Sequence, residues 1–365
     1  MKKVSKLIVI IMIAAVCLSG CGRIVSAQKY SAEYYDVFDT VVSVTAYCGG
    51  KAEFDELSAE IHEELQYFHR LFDIYNEYDG LVNAKTLNQN AATREVEVTS
   101  ELLEILEFSK DMYKMTDGCL NIALGPVLKL WHDAREASLA DPQKAYIPSD
   151  AELTEAGKHC NIDDLIINRY SSDGSDTGLS SFGDTEKLYA GTVRFADSEM
   201  SIDLGAVAKG FAVEKIAQNL EAEGKSAILI NAGGNVRTVG TKPGGEKWSV
   251  AVQNPVEDSA ESYADILKLE NYSLVTSGVY QRYFEYNGKR YHHIIDGGTL
   301  HPENRYLSVS IAARDSALAD ALSTAVFNME SEEGLLFVNS MDGVEALWIF
   351  PDGTSCFSDG YEAFR

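Results

Sequence analysis

The chain has 365 residues, of which 45% are hydrophobic, and this is enough to bury a large core in one domain or in two lobes. Its formal net charge is −25, which argues against a nucleic-acid partner and against a polybasic membrane-binding patch. An anionic ligand would therefore need a local positive field, supplied by a lysine, a helix N-terminus or a divalent cation.

The N-terminus has the features of a targeting segment. Three lysines among the first six residues precede an apolar run from Leu7 to Val16, which is too short to span a bilayer. The next residues, Leu18 to Cys21, resemble the lipobox of bacterial lipoproteins. This resemblance implies a signal peptide over residues 1–20, a lipidated Cys21, and a mature extracytoplasmic protein anchored to the bacterial cell membrane. An ordinary cleavage site that contains a cysteine is the alternative.

The cysteines beyond this segment do not indicate a metal ribbon or a disulfide framework. They are Cys48, Cys119, Cys160 and Cys356, and no two of them form a Cys-x-x-Cys pair.

Several elements follow from the hydrophobic pattern. After a polar tether over residues 21–34, alternating valines and threonines from Tyr35 to Tyr47 predict a strand. Helices are expected at about residues 52–72 and 100–115. Residues 171–187 are rich in Ser, Gly and Asp, which predicts an exposed insertion.

The stretch from Ser201 to Ala212 is predicted to run from a strand end at Asp203, through a turn at Gly205, into a helix. Lys209 would lie about one turn into that helix, so its charge and the helix N-terminus could hold an anion. The order of glycines and lysine differs from the nucleoside-triphosphate P-loop. A plain strand-turn-helix junction is the alternative.

A short strand from Ser226 to Ile230 is predicted next, and it leads into the paired glycines Gly233 and Gly234. Paired glycines let the backbone approach a ligand closely, and they also form ordinary turns. Both interpretations stay open for this pair.

Residues 280–295 predict a β-hairpin, because Asn287-Gly288 is a strong signal for a two-residue turn. Neighbouring residues on a strand point to opposite faces, so at most one of His292 and His293 is expected to be catalytic. The turn predicts three cross-strand pairs: Glu285 with Arg290, Phe284 with Tyr291, and Arg282 with His293.

A helix is expected from Asp315 or Ser316 onward, with one apolar stripe. Asp320 and Thr324 are four residues apart and so are neighbours on another face. Ala, Ser and Thr surround them where a solvated face would carry Lys and Glu, which favours a helix buried on two sides. A hard cation with oxygen ligands would be a suitable partner for this carboxylate and hydroxyl.

Taken together, the motifs resemble the FAD:protein FMN transferases, the ApbE family, over about residues 35–350, so that residues 35–365 would form the flavin transferase domain. The motifs that carry the resemblance are Phe72-Asp73-Ile74-Tyr75, Asp203 to Gly210, Ala232-Gly233-Gly234, Thr276-Ser277-Gly278, His293-Ile294-Ile295-Asp296, and Ala319 to Thr324.

This resemblance implies an enzyme that binds FAD and Mg²⁺, cleaves the pyrophosphate, and attaches FMN to a threonine hydroxyl of an acceptor protein by a phosphoester bond, releasing AMP. The acceptor would be a membrane-linked electron-transfer flavoprotein. The expected fold is α+β, with mixed β-sheets flanked by helices and a ligand cleft between two lobes.

The resemblance also implies residue roles. Asp320, Thr324 and the backbone carbonyl of Ala206 would bind the metal ion. His293 would be the general base. The FAD site would be lined by Phe38, Tyr75, Cys119, Leu120, Asn121, Asp203, Lys209 and Ile294, and the backbone at Gly233, Gly234, Ser277 and Gly278 would wrap the dinucleotide.

The sequence departs from the family pattern at a few positions: Asn121 stands where many members have Asp, and Gly297 and Leu300 stand where many have Pro and Gly. These departures concern details of flavin contact. Two alternative functions stay open, a Mg²⁺-dependent FAD pyrophosphatase that gives FMN and AMP, and a non-enzymatic flavin-binding lipoprotein.

Overall fold

The computed structural model describes residues 27–170, 189–256 and 259–365. The predicted signal peptide (residues 1–20), the predicted lipidation site at Cys21 and the predicted insertion (residues 171–187) lie outside the described residues. None of the helices in the described stretches has the length and apolar composition needed to cross a membrane.

An antiparallel sheet, which has eight strands within the described residues, forms the centre of the fold. With strands numbered in chain order, it contains β1 (Gln28–Val37), β2 (Thr40–Cys48), β6 (Ile228–Ala232), β7 (Asn235–Val239), β10 (Ser273–Gly278), β13 (Ser308–Ala313), β14 (Glu345–Ile349) and β15 (Ser355–Phe357). Their order across the sheet is β1-β2-β6-β7-β10-β13-β14-β15.

Three smaller sheets accompany it in the described part of the chain. The first has the order β3-β5-β4 and is built from β3 (Val96–Thr99), β4 (Leu165–Arg169) and β5 (Tyr189–Phe195). The other two are hairpins, one of β8 (Trp248–Gln253) with β9 (Tyr263–Leu269) and one of β11 (Tyr283–Tyr286) with β12 (Lys289–His292).

The described α-helices are α1 (Lys51–Phe72), α2 (Ala84–Asn90), α3 (Ser100–Met115), α4 (Gly125–Ala140), α5 (Asp150–Gly157), α6 (Ala208–Ala222), α7 (Ser316–Phe327) and α8 (Ser331–Asn339). Helices α1, α6 and α7 pack against one face of the large sheet, and the β8–β9 hairpin covers the opposite face. Successive side chains of β10 point to opposite faces of the sheet, so Leu274 packs against the hairpin and Val275 packs against the helices.

A third apolar cluster joins α4 to the β11–β12 hairpin. Trp131 of α4 stacks on Tyr291 with ring centroids 5.8 Å apart, and Phe284 packs on Tyr291 at 5.6 Å. The cluster therefore fixes the hairpin against a helix, and it faces the large sheet across a cleft. The predicted α+β fold class is confirmed.

The predicted helices are found with nearly the expected bounds, at Lys51–Phe72 and Ser100–Met115. The predicted hairpin is also confirmed. Asn287 and Gly288 have φ values of 50° and 73°, which is the conformation of a type I′ turn, and Glu285 pairs with Arg290 as expected.

The prediction of one strand from Tyr35 to Tyr47 is wrong. The chain turns back at Phe38-Asp39, so that β1 pairs with β2. Strand β1 also begins at Gln28, inside the predicted tether over residues 21–34. The reason lies in alternating aromatic residues: Tyr30 stacks on Phe54 of α1 at 5.6 Å, and the Tyr34 hydroxyl donates to the carbonyl of Ser58 at 2.9 Å.

Candidate functional site

A cleft of about 590 Å³ lies between the helix-covered sheet and the cluster of α4 with the hairpin. Its size and mixed apolar and polar lining are typical of a small-molecule site. The sequence-predicted residues that line it are Phe38, Tyr75, Cys119, Leu120, Asn121, Asp203, Ala206, Lys209, Gly233, Ser277, Gly278, His293, Ile294, Asp320 and Thr324.

Asp320 lies where α6 and α7 make their closest contact. Its Oδ2 atom accepts a hydrogen bond of 2.8 Å from the backbone N–H of Gly210 and lies 3.7 Å from Nζ of Lys209. A Cβ atom at Gly210 would lie only 2.4 Å from Cβ of Asp320, so the close approach requires glycine. Burial raises the pKa of Asp320, and the Lys209 ammonium and the Gly210 N–H act in the opposite direction. The buried carboxylate thus has partners within the protein, Gly210 and Lys209 among them.

The hydroxyl of Thr324 belongs to a short chain of hydroxyl groups. Ser323 donates to the carbonyl of Asp320 at 2.9 Å, because a carbonyl can only accept. Ser277 Oγ lies 2.8 Å from Ser323 Oγ and 3.4 Å from Thr324 Oγ1. The proton of Ser277 therefore goes to Ser323, and that of Thr324 goes to Ser277. The lone pairs of Thr324 Oγ1 stay available to a ligand.

The backbone carbonyl of Ala206 is also available. In a regular helix the N–H of Gly210 would donate to this carbonyl, but here it donates to Asp320. Among the described residues, no group of three or more His, Cys, Asp or Glu side chains could hold a metal ion. The available donors at this place are thus one carboxylate, one hydroxyl and one carbonyl, all of them hard oxygen atoms.

His293 follows β12 at the mouth of the cleft, and its side chain is exposed. The ring atom Nδ1 lies 3.2 Å from the carbonyl of Arg282, so Nδ1 carries the proton and donates, and Nε2 keeps a free lone pair. The walls of the cleft limit the hydration of the imidazole, and this together with the charge of Arg282 lowers the pKa of His293. The imidazole is neutral at neutral pH.

His292 points to the other face, as predicted, and is buried at 3% exposure. Its Nε2 donates to the carbonyl of Glu303 at 2.5 Å, and its Nδ1 accepts from the N–H of Ile294 at 3.2 Å. Burial lowers the pKa of His292 to about 4. Since both ring nitrogens are occupied, His292 is a structural residue.

Phe38 is held in an unusual backbone conformation at the edge of the cleft. Phe38 and Asp39 have φ values of 55° and 50°, a region that non-glycine residues rarely occupy. The N–H of Phe38 donates to Nδ1 of His69 at 3.2 Å, and the two rings meet edge to face at 5.6 Å. Arg282 reaches the carbonyls of both turn residues at 3.4 and 3.3 Å. These contacts bring the turn next to His293.

Asp73 orders the loop that carries Tyr75. Its Oδ1 atom accepts from the N–H of Tyr75 at 2.6 Å, and Oδ2 accepts from the Tyr78 hydroxyl at 2.7 Å. Tyr75 itself is 54% exposed and lies against His132, with ring centroids 5.2 Å apart. An aromatic surface is therefore held open toward the cleft.

Two predicted side chains already have hydrogen-bond partners in the fold, and a third, Cys119, is a protonated thiol. Asn121 donates to the carbonyl of Cys160 at 2.9 Å and accepts from the N–H of Ala123, so a ligand would meet mainly its backbone. Asp203 accepts from the N–H of Gly205 at 2.7 Å, and burial raises its pKa. Burial also raises the pKa of the Cys119 thiol to about 11, so this thiol stays protonated.

The paired glycines make the turn between β6 and β7, with φ values of 59° and 93°. A Cβ atom at Gly233 would lie 2.3 Å from Oγ1 of Thr40, so this turn packs directly on the β1–β2 hairpin. Gly234 is the one predicted flavin-site residue that is not among the residues lining the cleft; its N–H donates to Asn231 Oδ1 at 3.0 Å. Both glycines serve the turn, and Gly233 also faces the cleft.

Several cleft residues have no role predicted from the sequence. Arg282 had been placed opposite His293, and that pairing was the only signal for it. Tyr291 lies on β12 as the predicted partner of Phe284, and the others come from helices distant in sequence. Additional lining residues with basic or aromatic side chains include His69, Trp131, His132, Arg135, Arg282 and Tyr291. Lys209, Arg135 and Arg282 bring positive charge to a cleft that is also lined by the carboxylates of Asp39, Asp73, Asp203 and Asp320.

Comparison with known proteins agrees with this architecture. A model of the ApbE family matches residues 38–348. The FAD:protein FMN transferase of Treponema pallidum is 30% identical over 359 residues, which cover 94% of this chain and 90% of that protein. The FAD:protein FMN transferase of Haemophilus influenzae is 30% identical over 250 residues, which cover 68% of this chain and 66% of that protein.

A solved structure is similar over nearly the whole fold. The crystal structure of the ApbE protein from Thermotoga maritima superimposes with a TM-score of 0.76 at 26% identity, covering 92% of this chain and 99% of that one.

Proposed function

The chain belongs to the ApbE family, and we propose that it transfers FMN from FAD to a threonine hydroxyl of an acceptor protein, with release of AMP. The observation that carries this proposal is the joint presence, in one cleft, of hard oxygen donors at Asp320 and a neutral imidazole with a free Nε2 at His293. The first arrangement suits a pyrophosphate with its cation, and the second suits removal of a proton from a hydroxyl.

FAD is the substrate that this cleft would hold. The pyrophosphate would lie near the N-terminus of α6, where the Lys209 ammonium and the positive end of the helix dipole favour an anion. Arg282, at the mouth, would add a second positive charge. The rings of Phe38 and Tyr75 offer apolar faces for the flat ring systems of the dinucleotide.

A magnesium ion fits the oxygen donors of this site. Mg²⁺ commonly binds through one or two carboxylates together with substrate phosphate oxygens, and the donors here include a single carboxylate. Asp320, the Thr324 hydroxyl and the Ala206 carbonyl would hold it. When bound, the ion would neutralise the pyrophosphate charge and polarise the phosphorus to be attacked.

His293 would act as the general base. Its Nε2 atom would take the proton from the threonine hydroxyl as the threonine oxygen forms a bond to the phosphorus of the FMN half. The bond between that phosphorus and the bridging oxygen would break, and AMP would leave with the bridging oxygen. The hydrogen bond from Nδ1 to the Arg282 carbonyl keeps the base in the required tautomer.

One assay tests this function against its nearest alternative, a FAD pyrophosphatase that uses water in place of threonine. The protein is incubated with FAD, Mg²⁺ and an acceptor domain that contains a threonine known to be flavinylated. Flavin fluorescence that stays on the denatured acceptor, with AMP in equal amount, supports the transferase. If AMP and free FMN form while the acceptor stays unlabelled, the protein would be a pyrophosphatase and the transferase proposal would be wrong. If neither labelled acceptor nor AMP forms, the protein would be a flavin-binding protein without either activity.

We further propose that Cys21 is lipidated and that the protein works outside the cytoplasmic membrane, where it modifies a membrane-linked electron-transfer flavoprotein. The support is the order of basic, apolar and lipobox-like residues in the first 21 positions. Mass spectrometry of the mature protein should find a lipid-modified Cys21 at the N-terminus. An unmodified residue at the mature N-terminus would contradict the proposed lipid anchor.

A further inference from the structure

A second buried carboxylate, outside the cleft, mirrors the arrangement of Asp320. Glu214 lies on α6 one turn after Gly210 and is only 7% exposed. Its Oε2 atom accepts a hydrogen bond of 2.8 Å from the backbone N–H of Ser316, the first residue of α7. Asp320 of α7 does the same for Gly210 in the first turn of α6. Each helix therefore supplies a carboxylate to the N-terminus of the other, where unpaired N–H groups require acceptors.

The Glu214 carboxylate is itself fixed to the large sheet. Arg237 of β7 is 3% exposed, and its Nε atom lies 3.1 Å from Oε2 of Glu214. The other guanidinium nitrogens donate to the Thr238 carbonyl at 2.6 Å and to Glu221 Oε1 at 3.0 Å. Gln218 donates to Oε1 of Glu214 at 3.1 Å. The carboxylate thus ties the start of α7 to both α6 and the sheet.

This link and the Ser316 hydroxyl, which donates to Asn235 Oδ1 of β7 at 2.7 Å, hold the start of the helix that carries Asp320. Asp320 is one turn beyond Ser316 on the same helix, so a shift of the α7 N-terminus moves its carboxylate. The contact with α6 has little tolerance, because a Cβ atom at Gly210 would lie 2.4 Å from both Asp320 Cβ and the Ser316 carbonyl oxygen. Neither Glu214 nor Arg237 lines the cleft, so neither would touch a ligand.

We propose that Glu214 is a positioning residue for Asp320. Its hydrogen bond to the Ser316 N–H fixes the position of α7 along the helix axis, so that the Asp320 carboxylate meets Lys209 and the first turn of α6. Through this bond, and resting on the function proposed above, Glu214 sets the affinity of the cleft for Mg²⁺ together with FAD.

The first test needs neither metal nor FAD. It measures hydrogen exchange of the Gly210 amide, which donates to Asp320. Glu214→Asp keeps the charge beside Arg237 but draws the carboxylate back from Ser316 by one methylene. Glu214→Gln keeps the reach and an acceptor oxygen but loses the charge. We expect exchange at Gly210 to become about tenfold faster or more in the aspartate variant and to stay near the wild-type rate in the glutamine variant.

The opposite order would show that the charge of the ion pair matters and would overturn the proposal, as would unchanged exchange in both variants. If Glu214→Asp does not fold, hydrogen exchange of the wild-type protein can still test the proposal. The Ser316 and Gly210 amides should open as one unit and show the same opening free energy across denaturant concentrations. Independent opening would also overturn the proposal.

The second test connects the position of Asp320 to the cleft. FAD binding is followed by flavin fluorescence at increasing Mg²⁺ concentrations in wild type, both Glu214 variants and Glu221→Gln. Glu221 also bonds Arg237 but makes no side-chain hydrogen bond to α7 in the described part of the chain, so it is the matched control. We expect the Mg²⁺ concentration for half-maximal FAD binding to rise about 10- to 100-fold in Glu214→Asp only. An equal rise in Glu221→Gln would assign the effect to Arg237 and overturn the proposal.

The wild-type curve separates this inference from the proposed function. Wild-type protein that binds FAD without any dependence on Mg²⁺ would contradict the metal site, whereas the exchange measurement on Gly210 would still decide the role of Glu214.

Discussion

The two walls of the cleft are built in different ways. The helix wall, formed by α6, α7 and β10, holds the buried Asp320, which accepts from the backbone N–H of Gly210, and the half-buried Thr324, whose hydroxyl meets that of Ser277. The hairpin wall, formed by β11, β12 and the residues up to His293, presents an exposed imidazole with a single carbonyl as its hydrogen-bond partner. A buried wall can hold a charge in one place, and an exposed wall can admit a second protein.

This difference matches the two tasks of the proposed reaction. FAD and its cation need fixed charges with little reorganisation, which the helix wall offers. The acceptor threonine must enter from solvent, and only the hairpin wall has its reactive group at the mouth. Variants in the two walls should therefore affect different steps.

The largest effect is expected in the hairpin wall. His293→Ala removes the general base, so FMN transfer should fall by about 10²–10⁴-fold. FAD binding in the presence of Mg²⁺ should stay within about threefold of wild type, because the fixed charges are untouched. Rates of acceptor labelling and fluorescence titration with FAD measure the two quantities separately. Wild-type transfer in this variant would mean that another group activates the threonine, with Asp296 the nearest candidate in sequence.

A smaller but broader effect is expected in the helix wall. Asp320→Asn keeps an acceptor for Gly210 but removes the full negative charge, so Mg²⁺-dependent FAD binding and FMN transfer should both fall, transfer by roughly 10²-fold. Asp315→Asn is the matched control, since Asp315 caps the same helix at Leu318. It should keep transfer near the wild-type rate. A normal rate for Asp320→Asn at limiting Mg²⁺ would make Asp320 a purely structural capping residue.

The close helix contact can be tested by stability alone. Gly210→Ala introduces a Cβ atom 2.4 Å from backbone and side-chain atoms of α7, and these atoms are not the ends of flexible side chains. We expect the free energy of unfolding to fall by about 1–3 kcal/mol, as for other overpacked sites. Urea denaturation followed by circular dichroism measures it. The same change at Gly50, where φ is −172° and no atom lies within 4 Å, is the control without overpacking.

The helix wall was largely predictable because its signals are local. The spacing of Asp320 and Thr324 and the small residues around them indicated a helix buried on two sides, and the structure has that helix. The hairpin wall was equally predictable, since Asn287-Gly288 set the register that separates His292 from His293.

What the sequence did not reveal are contacts between distant residues. The bond from Gly210 to Asp320 joins positions 110 residues apart, and that from Ser316 to Glu214 joins positions 102 apart. No local sequence pattern predicts such a partner, so the sequence alone indicated that the Asp320 carboxylate lacked a partner within the protein. The turn at Phe38 was missed for a related reason, because His69 and Arg282 stabilise a backbone conformation that Phe and Asp do not favour by themselves.

The smallest expected effect concerns the buried histidine of the hairpin wall. The pKa of His292 is lowered to about 4 in the folded protein, whereas an unfolded chain has a value near 6.5. Between these values the unfolded chain binds a proton that the folded protein does not, so the free energy of unfolding should fall as the pH falls below about 6.5. Between pH 6.5 and pH 5 this contribution amounts to about 2 kcal/mol.

His292→Gln keeps a donor for the Glu303 carbonyl but cannot titrate. The variant should be less stable than wild type at pH 7, because the bond to Ile294 and the ring packing are lost, and the difference should shrink by about that amount at pH 5. Urea denaturation at both pH values gives the four free energies of unfolding. A difference that is the same at pH 7 and pH 5 would mean that His292 titrates alike in the folded and unfolded states.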